Sequence, residues 1–83
     1  MLRLQVFKPL DRRTASVEVW NEDILVAEVF ASEGGERRLY VSEAGARLGL
    51  DWAIFEALAP KISALLDEAD DEMRETRKLL GEE

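Results

Sequence analysis

Hydrophobic and polar positions alternate through the first half of the chain and change period after Ser42. In "LRLQVF", Leu2, Leu4 and Val6 fall on one side of a two-residue repeat, and Arg3, Gln5 and Phe7 on the other, which predicts a first strand. Pro9 and the polar stretch "KPLDRRT" then form a loop. "ASVEVW" alternates again, with Ala15, Val17 and Val19 opposite Ser16, Glu18 and Trp20. "NED" at 21–23 connects it, as a hairpin, to "ILVAEVFA", whose β-branched and aromatic content suits a central strand. Gly34 and Gly35 in "SEGGE" permit a turn with positive φ, and "RRLYVS" closes as a fourth strand.

Beyond Ser42 the repeat lengthens. Trp52, Phe55, Ala59, Ile62, Leu66, Ala69, Met73 and Leu80 recur at three- and four-residue steps, with Thr76 in the one polar place and Leu58 and Leu65 widening the stripe. This is an amphipathic helix over 51–80, with Asp51 as its N-cap and Gly81 as its stop. Pro60 removes one ladder hydrogen bond and crowds the carbonyl of Glu56, so a kink or a break into two helices is expected there. A continuous helix over this span is about 45 Å long, more than the width of four strands, so its last turns should project past the sheet or pair with something else.

The expected architecture is α+β and two-layered: an antiparallel meander of three to four strands over 1–42, a connector at 43–50, and a long C-terminal helix or helix pair at 51–80, all one domain over 1–83. The helix should cover the face carrying Leu2, Leu4, Val6, Ala15, Val17, Val19, Leu25, Ala27, Val29, Leu39 and Val41. The opposite face then gathers Trp20, Ile24, Val26, Phe30 and Tyr40 among Arg3, Glu18, Glu28 and Arg38. Aromatic side chains bury about 150–250 Å² each, so two readings compete: the cluster is scattered or covered by the "KPLDRRT" loop and the chain's own helical tail, or it is a partner-binding surface larger than monomers usually leave bare, which is the reading favoured here. A symmetric homodimer is the simplest occupant.

Composition narrows the function classes. The chain has 83 residues and neither cysteine nor histidine, which removes disulfides, Cys/His zinc sites and the usual acid–base catalyst. A core this small supplies little net stability, which adds weight to oligomerisation. The net charge is −7, and it is uneven: residues 1–41 carry six bases and seven acids, residues 42–83 five bases and eleven acids. Such a balance disfavours nucleic acid and anionic lipid as partners. The short, charge-broken N-terminal run suggests neither a signal peptide nor a membrane span, so a cytoplasmic location is expected.

Six acids, Asp67, Glu68, Asp70, Asp71, Glu72 and Glu75, stand against the single base Arg74 between positions 67 and 75. Asp70–Arg74 and Glu75–Lys78 are favourable helical pairs, while Asp67–Asp71 and Glu68–Glu72 repel. The stretch is either a solvated helix face or an acidic surface that docks a basic protein. It is not an EF-hand loop: from Asp67, position six is Glu72 instead of glycine and position twelve is Lys78 instead of glutamate.

The segment "EAGARLGLDWAIFEAL" resembles the core of bacterial helix-turn-helix repressors, with small Gly45, Leu48-Gly49 at the turn, and Phe55 and Leu58 facing inward. The resemblance spans 16 residues and implies a DNA-binding regulator over 43–58. Its exposed positions, Asp51, Trp52, Ala53 and Glu56, offer no base to meet base edges or phosphates. The serines lack a histidine partner, and Gly34-Gly35 lacks the Lys-Ser/Thr ending of a phosphate loop. The expectation is therefore a small acidic, non-enzymatic interaction module without cofactor or small-molecule substrate, similar in character to phage-encoded inhibitors and antitoxins. The alternatives are the DNA-binding regulator and a stand-alone structural domain with no ligand.

Overall fold

The computed structural model describes residues 1–9, 11–32 and 35–81. Leu10 of the first loop and Gly34 of the "SEGGE" turn lie outside the described residues. Four strands, β1 (Leu2–Phe7), β2 (Ser16–Asn21), β3 (Ile24–Ala31) and β4 (Arg37–Val41), are followed by α1 (Glu43–Leu48) and α2 (Trp52–Leu79). The strands form an antiparallel meander in the order β1-β2-β3-β4, so the class is α+β as the periodicities indicate.

Turn chemistry sets the hairpins. Asn21 pairs with Ile24, leaving Glu22 and Asp23 as a two-residue connection, and Glu22 takes φ 55° there. That left-handed geometry is what matches a tight turn to the twist of its strands, and a glutamate adopts it at a cost. Gly35, with φ 86°, supplies the positive φ of the β3–β4 turn without that cost.

One irregularity re-aims β3. Val19 pairs with Ala27, but Trp20 pairs with Leu25, so β3 carries one extra residue, Val26, at a β-bulge. Everything on β3 before the bulge is therefore turned to the opposite face from strict alternation. Leu25 joins Trp20 on the outer face, Ile24 shares the side of Asn21 and Leu2, and Val26 enters the core at 1% exposure.

The core holds Ala15, Val17, Val19, Val26 and Ala27 from the sheet against Ile62, Leu66 and Ala69 of α2, with Leu4, Val6, Leu58, Leu65 and Met73 packed around them. α1 is clasped to the bulge. Ser42 caps it by accepting from the Gly45 N–H at 2.9 Å, while the same hydroxyl donates to the Leu25 carbonyl at 2.6 Å. Gly45 lies so close to β3 that an ideal Cβ would stand 2.1 Å from the Val26 carbonyl oxygen.

α2 runs unbroken through Pro60. Pro60 and Glu56 both lie on the exposed side of the helix, so water can serve the Glu56 carbonyl that loses its donor. Asp51 caps α2 by accepting from the Ile54 N–H at 3.1 Å. At 28 residues the helix is about 42 Å long, close to the 44 Å longest extent of the molecule. Its last turns meet the loop after β1: Lys8 pairs with Glu72, and Arg77 donates to the Arg12 carbonyl at 3.1 Å.

Candidate functional site

The outer face of the sheet is not one aromatic patch. Its first row runs Arg3–Trp20–Leu25, its second Gln5–Glu18–Glu28–Tyr40 and its third Phe7–Ser16–Phe30–Arg38. Trp20 sits at one end, with the Arg3 guanidinium 5.5 Å from its ring and its indole N–H donating to Glu18 at 3.3 Å. Phe30 and Tyr40 stack at the other end, 4.4 Å between centroids and 8° apart. The opposed carboxylates Glu18 and Glu28 separate the two groups. Ile24 and Val26 do not join either: the bulge moves both off this face, and Val26 is sealed in the core. The expected five-residue anchor thus reduces to Trp20, with Leu25 in place of the two aliphatics, and a distinct Phe30–Tyr40 pair. Arg12 of the first loop leans over Phe30 at 5.8 Å, so part of this pair is already sheltered within the chain.

The larger bare surface lies where the sequence pattern expects cover. An α-helix is about 10–12 Å across and strands lie about 4.8 Å apart, so one helix shields roughly two strands of four. α2 packs over β1 and β2. Leu39 and Val41, paired with the core residues Val29 and Ala27, face the helix side but remain 44% and 46% exposed. Tyr40 on the opposite side is 48% exposed. Helix width against strand spacing signals from sequence that about two strands stay bare, but not that they include the one carrying Leu39 and Val41.

β4 is also a sheet edge. Ser42 N–H donates to the Val26 carbonyl at 3.0 Å and Ser32 N–H to the Glu36 carbonyl at 2.7 Å. Both pairs continue the β3–β4 register in which Glu28 faces Tyr40 and Phe30 faces Arg38. Hydrogen-bonded and non-hydrogen-bonded pairs alternate along an antiparallel ladder. Arg38 and Tyr40 therefore direct their backbone groups to β3, whereas Arg37, Leu39 and Val41 turn theirs outward. The edge presents three residues' donors and acceptors, flanked by half-bare apolar side chains on both faces.

The acidic stretch serves the fold. Asp70 accepts the Ala15 backbone N–H at 2.8 Å and faces Arg37 at 3.5 Å, and Asp67 binds Arg37 at 2.7 Å. Asp71 pairs with Arg74 at 3.2 Å and Glu72 with Lys8. Glu68 and Glu75 have no ion-pair partner among the described residues. The hydrogen bond that Arg37 donates to Asp67, joined by the field of Asp67 and by the bond to and field of Asp70, outweighs the lowering by burial and raises the Arg37 pKa above its ordinary value. On the arginine side, a raised cationic pKa means that this contribution to stability is fully present below the ordinary arginine value and is lost as pH rises through the raised one. Four of the six acids find partners within the chain: Asp67 and Asp70 reach β4, Asp70 also the backbone just before β2, Glu72 the first loop, and Asp71 its own helix.

The segment that resembles a helix-turn-helix does form two helices, α1 and the start of α2, but α1 is pinned to β3 through Gly45. Arg47 pairs with Glu43 at 3.2 Å. This arrangement passes the chain from sheet to helix. Among the described residues, two of the open grooves flank the core. One, of about 480 Å³, lies among Met1, Leu2, Leu48, Leu50 and Ile54; the other, of about 470 Å³, lies between Lys8, Pro9 and Arg12 and the end of α2. In the second, Lys8 is already held by Glu72 and Arg77 by Arg12. No group of three or more potential metal ligands occurs, and no helix is long and apolar enough to cross a membrane, among the described residues. Compared with family models, with characterised proteins and with solved structures, the chain matches none.

Proposed function

We propose that this chain is a protein-interaction module that acts by contact rather than by chemistry, and that its contact element is the β4 edge. The observation that carries this reading is the state of that strand: outward backbone groups at Arg37, Leu39 and Val41, with Leu39, Tyr40 and Val41 each close to half exposed. Proteins commonly blunt an edge with charge, a bulge or a covering element. Here the two charges, Arg37 and Arg38, are engaged by Asp67 and Glu36 and stand at one end, while the apolar end is bare. Strand addition uses such an edge: main-chain hydrogen bonds give affinity, and side-chain contacts on either face give selectivity.

Leu39→Pro is the direct test. The Leu39 N–H points away from β3, so proline there removes an outward donor without breaking the β3–β4 ladder. The wild type used as bait should retain its binding partner and Leu39→Pro should lose it, with urea midpoints close to each other. A partner held equally by both, or held by neither, refutes the assignment of β4.

A further inference from the structure

The geometry points to a second copy of this chain as the occupant of the β4 edge, in an antiparallel pairing whose twofold axis passes through Leu39. The inference rests on the β4 reading above and goes further by naming the partner and the register. Only residues 37, 39 and 41 face outward, so registers can be ranked by how many of them find each other. With the axis at Leu39, Leu39 meets Leu39, and Arg37 meets Val41 at both ends. Each such pair exchanges two hydrogen bonds, so all outward groups of the strand are satisfied. With the axis at Tyr40, Leu39 meets Val41 twice and Arg37 falls beyond the partner strand. With the axis at Arg38, two cations stand directly opposed, which is unfavourable.

Side chains agree with the Leu39 register. On the outer face each Arg38 lies opposite Tyr40 of the other copy, a cation against a ring that already stacks on Phe30. On the helix side Leu39 covers Leu39, and Val41 lies along the aliphatic stem of Arg37. The molecule carries −7, and in this register the two bases of β4 lie opposite Val41 and Tyr40 of the other copy, so no like charges are directly opposed across the contact. The resulting isologous contact joins two four-stranded sheets into one continuous eight-stranded sheet, pairs the β4 edge of both, and leaves β1 as the outer edge at each end. The contact is five residues a side, at the small end of specific interfaces, so dissociation constants on the order of micromolar are expected.

The chain has no cysteine, so single-cysteine variants report the register cleanly. Hydrogen-bonded cross-strand pairs have Cα atoms about 5.5 Å apart, within disulfide reach, while a two-residue diagonal is about 7–8 Å and outside it. Leu39→Cys should form a disulfide-linked dimer on mild oxidation on the order of tenfold faster than Tyr40→Cys or the exposed control Ser63→Cys. By sedimentation, wild type should move with concentration from 9.4 kDa toward twice that mass, Leu39→Pro should stay at 9.4 kDa, and added salt should strengthen association by screening the repulsion between copies. Faster linking through Tyr40→Cys overturns the register. A monomer at every concentration, with no preferential linking at Leu39, overturns the second copy as occupant. The β4 reading itself survives that result if a foreign protein is still captured and is lost from Leu39→Pro, and falls if it is not.

Discussion

Gly45→Ala sets helix propensity against close approach, and the two predict opposite signs. In an exposed helix, alanine in place of glycine stabilises by about 1 kcal/mol. At this site the added Cβ would sit 2.1 Å from the Val26 oxygen and 2.9 Å from the Val26 carbonyl carbon, both backbone atoms that cannot rotate away. α1 must retreat by roughly 1 Å to restore ordinary contact. That retreat strains the two bonds that clasp it to β3, Ser42 N–H to Val26 at 3.0 Å and Ser42 hydroxyl to Leu25 at 2.6 Å. Two such bonds are together about 1–3 kcal/mol. Partial exposure of Val26, now 1% accessible, adds about 1 kcal/mol. After the propensity gain, the net loss is about 1–3 kcal/mol, a fall in Tm on the order of 5–20 °C for a domain of this size. The assay is urea unfolding followed by the fluorescence of Trp20 and Trp52, with Ala46→Gly as comparison, since Ala46 is exposed on the same helix and its loss costs only about 1 kcal/mol. A Gly45→Ala protein as stable as wild type, or more so, refutes the claim that α1 needs a bare Cα against the bulge.

Two further perturbations probe the helix clamp and the hairpin. Asp70→Ala leaves the Ala15 N–H without its acceptor beside a buried residue and should cost about 1–3 kcal/mol in urea unfolding, whereas Asp70→Asn, which keeps an acceptor oxygen, should cost clearly less. Glu22→Gly relieves a glutamate held at φ 55° and should raise the unfolding free energy by up to about 1 kcal/mol; a decrease would show that the turn does not hold this geometry in solution.

The repeats along the chain determine the kinds and order of the elements, because side-chain period is a local property of strands and helices. They place four strands, the Asp51 cap and the glycine after α2. Local period could not reveal the bulge at Val26, since that extra residue is defined only against β2; its consequence is that Ile24 and Val26 leave the outer face and Leu25 takes their place. Nor could it show that the acids at 67, 70 and 72 meet Arg37, the Ala15 amide and Lys8, because these partners lie 30 or more residues away in sequence. The lateral position of α2 was likewise a tertiary matter. A helix with an apolar stripe can lie over any pair of strands, and only its settling over β1 and β2 left Leu39 and Val41 uncovered beside a free edge.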